Sequence, residues 1–233
     1  MTNPPNLSTI TEAFFRDGYA LIPAVLSREE AVALRERTED YFVHRDEIPP
    51  QHVSYVGDTF VLRRGAELDR VYAELIHRPS IYQIVESVLG KEPAFNALNV
   101  IRNATMQAIS NWHVDDLLEF PLPEEIARFD ACVRMPVLWL TVQVALSDID
   151  TEANGPTQFV PGSHYSGRHP TPRSAPVFEG QGPVNVLCKA GDIYLTNHQC
   201  WHRGAPNVSD RIRYVLQLQY AVRWADRRFR GLA

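Results

Sequence analysis

Residues 137–146, Val-Leu-Trp-Leu-Thr-Val-Gln-Val-Ala-Leu, restrict what this chain can become more than any other segment. The run is rich in β-branched and aromatic residues and lies between Pro136 and Ser147-Asp148. It reads as a buried strand. Further strands are expected at 97–101, in the segment ending at Trp112, and near 157–160, 184–188, 192–196 and 212–223. Many short strands and 17 prolines predict a mainly β chain with flanking helices. The architecture expected is a double-stranded β-helix, a cupin-like jelly-roll with helices on one face.

The N-terminal part reads as helical with short strands. Ser27-Arg28-Glu29-Glu30 has the form of a capping box, in which hydroxyl and carboxylate each satisfy a free helix amide. The helix it starts carries Ala31, Leu34, Thr38, Tyr41 and Phe42 near one face and ends by Asp46. Pro49-Pro50 then imposes an extended loop. A second helical region is expected over 67–89, interrupted near Pro79 and capped at Gly90. No repeat or linker divides the 233 residues. The expectation is one domain, with 1–92 packing on a jelly-roll core of 93–233.

Composition narrows the function. A hydrophobic content of 45% supplies an ordinary globular core. The net charge of −5 offers no basic field for nucleic acid, and positive charge is almost all arginine. Cys132, Cys188 and Cys200 are odd in number and form no CxxC pair, so they read as reduced thiols. No leader-like start and no apolar run of about 18 residues is present, so no membrane partner is expected. Together these predict a compact cytoplasmic protein without a nucleic-acid partner.

His113-Val114-Asp115 and His202, 87 residues after Asp115, can supply two imidazoles and one carboxylate to a single metal. On an extended strand, His113 and Asp115 leave the same face, whereas Asp116 points the other way. Two histidines and a carboxylate with open positions suit non-haem Fe(II) oxygenases. A lone His-x-Asp also fits an exposed strand end facing water. His198, four residues before His202, competes for the second position. On a helix the two would form half of a zinc-protease signature, but Gln199 follows His198 where that signature needs glutamate. His198 therefore reads as structural or close to the site.

Three further stretches lie in order along the chain. They are Asn154-Gly155-Pro156-Thr157-Gln158-Phe159-Val160-Pro161-Gly162-Ser163-His164, then Gly191-Asp192-Ile193-Tyr194, then Trp201-His202 with Asn207-Val208-Ser209 and Arg213. With Trp112-His113-Val114-Asp115-Asp116 and the opening Phe15-Arg16-Asp17-Gly18-Tyr19, the chain resembles the phytanoyl-CoA dioxygenase family of Fe(II)/2-oxoglutarate oxygenases. The resemblance implies that His113, Asp115 and His202 hold Fe(II). It implies that Arg213, eleven residues after His202, holds the distal carboxylate of 2-oxoglutarate, and that Thr157 can bond the cosubstrate.

By that resemblance O2 is consumed, 2-oxoglutarate is decarboxylated to succinate and CO2, and a substrate is oxidised, by default hydroxylated. Halogenation is disfavoured, because halogenating members lack the carboxylate that Asp115 supplies. The turn-rich run Gly204-Ala205-Pro206-Asn207-Val208-Ser209-Asp210 is expected to return Arg213 alongside His202. Arg211 reads as a surface arginine. Thr141 is polar inside the most apolar strand and needs a partner if buried. Gln107, just before the metal strand, is a further cosubstrate candidate.

Asp116, Phe120 and Trp201 are candidate substrate contacts, although Trp201 and Trp112 suit core packing equally. A lid is expected over 117–135, with Leu117, Leu118, Phe120 and Phe129 available to an apolar substrate, and Tyr55 and Arg63 as further loop contacts. His164 is better explained by loop structure than by ligation. A cupin-like metalloenzyme that does not use 2-oxoglutarate, or a silent small-molecule-binding barrel, remains as an alternative to this reading.

Overall fold

A computed structural model describes residues 6–226. The helices are α1 (Leu7–Asp17), α2 (Arg28–Val43), α3 (Gly65–Leu68), α4 (Arg70–Ala73) and α5 (Pro79–Leu89). The strands are β1 (Tyr19–Ile22), β2 (Val53–Val56), β3 (Thr59–Leu62), β4 (Ala94–Asn103), β5 (Ile109–His113), β6 (Trp139–Ala145), β7 (Thr157–Phe159), β8 (Val184–Asn185), β9 (Ile193–Asn197), β10 (His202–Gly204) and β11 (Arg213–Ala221). They form a seven-stranded sheet in the order β1-β9-β6-β11-β4-β3-β2, and a four-stranded sheet in the order β5-β10-β7-β8. Two antiparallel sheets with helices against one of them are the jelly-roll architecture expected.

The buried run lies at β6, and every residue from Trp139 to Ala145 is buried. Strand alternation explains why both faces are covered. Leu140, Val142 and Val144 face a core shared with Ile10 and Phe14 of α1, Leu34 of α2 and Ile81 and Ile84 of α5. Thr141 and Gln143 face the opposite way, into a cavity. β11 obeys the same rule, sending Leu216, Leu218 and Tyr220 to the helices and Val215, Gln217 and Gln219 to the cavity.

The capping box is present, with the Glu30 N–H donating to Ser27 Oγ at 3.2 Å and the Ser27 N–H to Glu30 Oε2 at 2.7 Å. Losing such a cap typically costs about 1 kcal/mol. The helix ends at Val43, three residues before the expected limit. The region 67–89 is broken into α3, α4 and α5, with Pro79 at the start of α5, where its missing N–H costs no helical bond.

The division at residue 92 is corrected in one respect. β1, β2 and β3 precede it, yet all three belong to the large sheet, with β1 at one edge and the β2–β3 hairpin at the other. In place of the extended loop expected after Pro49-Pro50, Pro50–His52 form a single 3-10 turn, and this hairpin follows, with Val53 paired to Leu62. No helix among the described residues is long and apolar enough to cross a membrane.

Candidate metal centre and cosubstrate cavity

His113 closes β5 and His202 opens β10, and the two are antiparallel register partners. Each ring is oriented by its own backbone. Nδ1 of His113 lies 2.7 Å from the Asn111 carbonyl, and Nδ1 of His202 lies 2.9 Å from the Cys200 carbonyl. A carbonyl only accepts, so each Nδ1 carries the proton and each Nε2 presents a lone pair. The Nε2 atoms lie 3.6 Å (His113) and 3.5 Å (His202) from Asp115 Oδ1. Candidate ligand atoms of all three residues lie within 4.8 Å of one another.

Asp115 reaches this point by a route the sequence did not indicate. β5 ends at His113, so Asp115 lies in a bend rather than on the same strand face. Its N–H donates to the His198 carbonyl at 2.9 Å, and that bond turns the carboxylate towards the histidines. Asp116 follows in the left-handed region at φ 56°.

The charges agree with a cation site. Burial alone would raise the Asp115 pKa, but His202, His198 and His113 hold the carboxyl well below its ordinary range. Burial lowers the His113 pKa, and neighbouring His202 adds to this. Burial would also lower the His202 pKa, yet the Asp115 carboxylate raises it. His198 is pushed down to about 3 by burial and is a neutral imidazole. Two imidazole nitrogens and one carboxylate oxygen on one side of a point suit a divalent first-row metal with open positions opposite.

A cavity of about 330 Å³ runs from these residues along the inner face of the large sheet. Arg213, 4% exposed, lines it. One Nη donates to the Gly155 carbonyl and the other to Asn103 Oδ1 at 2.5 Å. Its Nε is buried without a hydrogen-bond partner. No carboxylate among the described residues pairs with it, and burial lowers its pKa. A buried guanidinium without a counter-ion carries a large desolvation penalty, which an entering carboxylate would offset.

Gly155 makes part of this arrangement possible. Its φ is +66°, and a Cβ there would lie 2.7 Å from the Ala205 carbonyl oxygen and 2.8 Å from the Asn207 nitrogen. Only glycine fits that approach.

Arg213 arrives differently from the expected hairpin. β10 and β11 belong to different sheets, so the chain crosses the barrel between them. Arg213 pairs with Asn103 of β4 and faces the strand of His202 across the cavity, with an Nη 3.4 Å from where a Cβ on Gly204 would lie. Asn207 fixes the crossing by donating to the carbonyls of Asn103 and Arg211. Arg211 is half exposed and bonds Asp150 and Asn154 at the surface.

Thr157, Thr141 and Asp116 line the cavity, as does Arg63. Thr157 Oγ1 lies 2.8 Å from the Tyr194 hydroxyl, and Thr141 Oγ1 lies 3.3 Å from His198 Nε2. Three other candidates lie outside it. Gln107 accepts from Ala104 N–H and donates to the Asp58 carbonyl, both at 2.8 Å, so its amide is spent on the neighbouring turns. Trp201 packs with Trp112, Val160, Tyr165 and Phe178 in a separate apolar cluster, and its indole N–H donates to the Arg168 carbonyl at 2.7 Å.

Phe120 is half-buried on a loop that packs against Gly167, away from the cavity lining. Leu118 and Phe129 pack on the Trp201 cluster, while Leu117 is exposed. The segment 117–135 is thus tied to an apolar cluster rather than presenting those side chains to the site. Tyr55 is exposed and packs on Phe60. His164 bonds the Phe15 carbonyl through Nε2 at 3.1 Å, a structural role.

Several lining residues were missed: Asn99, Gln143, Gln217 and Gln219, with Asn103 and Tyr194 beside Arg213. Their signal was amides an even number of positions apart, hence on one strand face, two apart in Gln217-Leu218-Gln219 and four apart in Asn99-Val100-Ile101-Arg102-Asn103.

A cluster of two histidines and one carboxylate with open positions is the site expected of non-haem Fe(II) oxygenases. The family model for phytanoyl-CoA dioxygenase (PhyH) matches residues 14–215, and the chain belongs to that family. It is therefore a 2-oxoglutarate-dependent oxygenase-like enzyme, with iron and 2-oxoglutarate as metal and cosubstrate.

An uncharacterized protein of Mycobacterium tuberculosis, Rv1501, is 24% identical over 235 residues, covering 94% of this chain and 76% of its own. The epimerase SnoN of nogalamycin biosynthesis, solved with Fe3+, alpha ketoglutarate and nogalamycin RO, superposes with a TM-score of 0.71 at 22% identity, covering 92% of this chain and 83% of its own. HygX from Streptomyces hygroscopicus, solved with nickel, 2-oxoglutarate and hygromycin B, gives 0.70 at 16%, covering 93% and 87%. At these identities the solved structures share the fold.

Proposed function

We propose that this protein is an Fe(II)- and 2-oxoglutarate-dependent dioxygenase that hydroxylates a small organic molecule of secondary metabolism, acting as one domain in the cytoplasm. His113, Asp115 and His202 hold the metal, and Arg213 receives the distal carboxylate of 2-oxoglutarate. The observation that carries this reading is the buried Arg213 guanidinium, without a counter-ion among the described residues, in the same cavity as the convergent His113, Asp115 and His202 side chains. A metal site alone would not need that cation. When bound, iron supplies the oxygen chemistry that spends one 2-oxoglutarate on each substrate oxidised.

The chain's own groups do the positioning. Asn103 and the Gly155 carbonyl hold Arg213 in place, and the Thr157–Tyr194 hydroxyl pair offers a further bond to a carboxylate beside it. Thr141 steadies His198, whose carbonyl holds the Asp115 backbone. Asp116 stands at the substrate side of the metal centre. The amide-rich wall suits a substrate with several oxygen functions better than a bare hydrocarbon.

The test is anaerobic titration of the protein with Fe(II) and then 2-oxoglutarate. A weak visible metal-to-ligand charge-transfer band is expected, followed by succinate release on admitting O2. No band, and no succinate above a metal-free control, would reject the reading in favour of a cupin-like enzyme independent of 2-oxoglutarate.

A further inference from the structure

We propose that Arg63 and Asn99 form a docking point for an anionic group, a carboxylate or a phosphate ester, carried by the molecule this enzyme oxidises. The inference rests on the oxygenase reading of the cavity and adds the chemical class of its substrate.

Arg63 directly follows β3. Alternation along that strand sends Phe60 and Leu62 into the helix-facing core and turns Val61 and Arg63 into the cavity. Val61 pairs with Ile101 and Leu62 with Val100, where the pairing ends, and Arg63 and Asn99 both line the cavity just beyond it. Asn99, 6% exposed, accepts the Arg64 N–H on Oδ1 at 3.3 Å. Its amide nitrogen is thereby left as a donor in the cavity that Arg63 also lines.

Arg63 differs from the other cavity arginines. Arg213 donates to Gly155 and Asn103, and Arg203 donates to Gln158 while lying over the Trp112 ring. Among the described residues no hydrogen bond, ion pair or ring contact engages the Arg63 side chain, which lines the cavity. A cation in a half-buried, low-dielectric position gains most from a partner of opposite charge, and a guanidinium with an amide donor matches the oxygens of a carboxylate or phosphate.

The cosubstrate cannot be that partner. Arg213 pairs with Asn103, four residues along β4 from Asn99, a separation of roughly 13 Å at about 3.3 Å per strand residue. A single 2-oxoglutarate that chelates the metal and reaches Arg213 has no group left for Arg63. An anionic handle at Arg63 would orient the rest of the substrate along the Gln217–Gln219 side of the wall, towards Asp116 and the metal.

The experiment is arginine labelling of the full-length protein, loaded with Ni(II) and 2-oxoglutarate, by phenylglyoxal with peptide mass spectrometry. Benzoate, inorganic phosphate, benzamide and chloride are compared at matched ionic strength. Arg63 should be labelled in chloride, and saturating benzoate or phosphate should slow its labelling about tenfold, as a charge-assisted pair requires. Benzamide should have no effect, and Asn99→Ala should weaken the protection. Protection by benzoate identifies a carboxylate handle, and protection by phosphate alone identifies a phosphate ester.

An unlabelled Arg63, equal rates in all four solutions, or protection by benzamide as strong as by benzoate would overturn the proposal. Arg63→Gln should still develop the Fe(II)–2-oxoglutarate band. Loss of that band from the unsubstituted protein would indict the oxygenase reading, whereas an anion-insensitive Arg63 indicts only this one.

Discussion

The His198 carbonyl accepts the Asp115 backbone N–H at 2.9 Å, so the carboxylate of the candidate metal cluster is aimed by a backbone bond from the loop before β10. That bond survives any change of the His198 side chain. His198→Gln should therefore keep metal affinity within about tenfold, the lower end of what supporting contacts usually cost. Its penalty should appear in stability, because the ring is buried against Trp139. Metal titration paired with urea unfolding of the variant separates the two effects.

His113→Ala and His202→Ala should each lose tight metal binding and succinate formation while the far-ultraviolet dichroism stays unchanged. Both residues sit at strand ends outside the helix-facing core, so the fold does not depend on their rings. Succinate release near the unsubstituted rate from either purified variant would remove that residue from the metal site.

The two adjacent acids separate cleanly. Asp115→Ala should abolish iron retention, because Asp115 is the carboxylate clustered with both histidines among the described residues. Asp116→Ala should keep iron and the charge-transfer band and lose substrate-coupled turnover. The reverse pattern, read by iron content after gel filtration, would exchange their assignments.

Arg213→Ala should raise the 2-oxoglutarate requirement by roughly two orders of magnitude, since removing one partner of a buried pair costs about 3–5 kcal/mol and each 1.4 kcal/mol is tenfold. Iron affinity should hardly move. Arg70→Ala, at a side chain 89% exposed and paired only with Glu74, is the control and should match the unsubstituted protein. An unaltered 2-oxoglutarate curve for Arg213→Ala would place the cosubstrate elsewhere.

Acid sensitivity should trace in part to His164. Burial pushes its pKa down to about 4 from an ordinary value of 6.5. The folded state thus prefers the neutral ring, and between those values the unfolded chain binds more protons. Stability from this group is complete above about pH 6.5 and is lost as pH falls towards 4, a difference of roughly 3 kcal/mol. His164→Gln retains a donor for the Phe15 carbonyl but cannot protonate. Its urea midpoint should fall less than that of the unsubstituted protein between pH 7 and pH 4.5.

The strands that carry apolar residues on one face were legible because burial imposes a period of two on the sequence, as in β6 and β11. The helix start at Ser27 was legible because its cap is local. Asp115 was singled out on the wrong local geometry, since whether a strand ends at His113 or continues depends on His198, 83 residues away. The path to Arg213 was misread for a related reason. Turn-forming residues reveal that the chain reverses, but not which sheet it joins. Phe120, Trp201 and Gln107 were placed at the site by nearness in sequence to the metal ligands, and the aromatic cluster that holds Trp201 is assembled from distant segments.

β11 supplies Arg213 and lies in the middle of the large sheet, hydrogen-bonded to β4 on one side and β6 on the other, although it is the last of the described strands. The three candidate metal ligands all precede it in the chain. During synthesis, a polypeptide can therefore hold every candidate metal ligand before it possesses either the proposed cosubstrate anchor or a closed sheet. Pairings this distant in sequence form slowly. The interval in which iron could be bound without 2-oxoglutarate in place, and so prone to uncoupled oxidation of its own surroundings, ends only when β11 inserts.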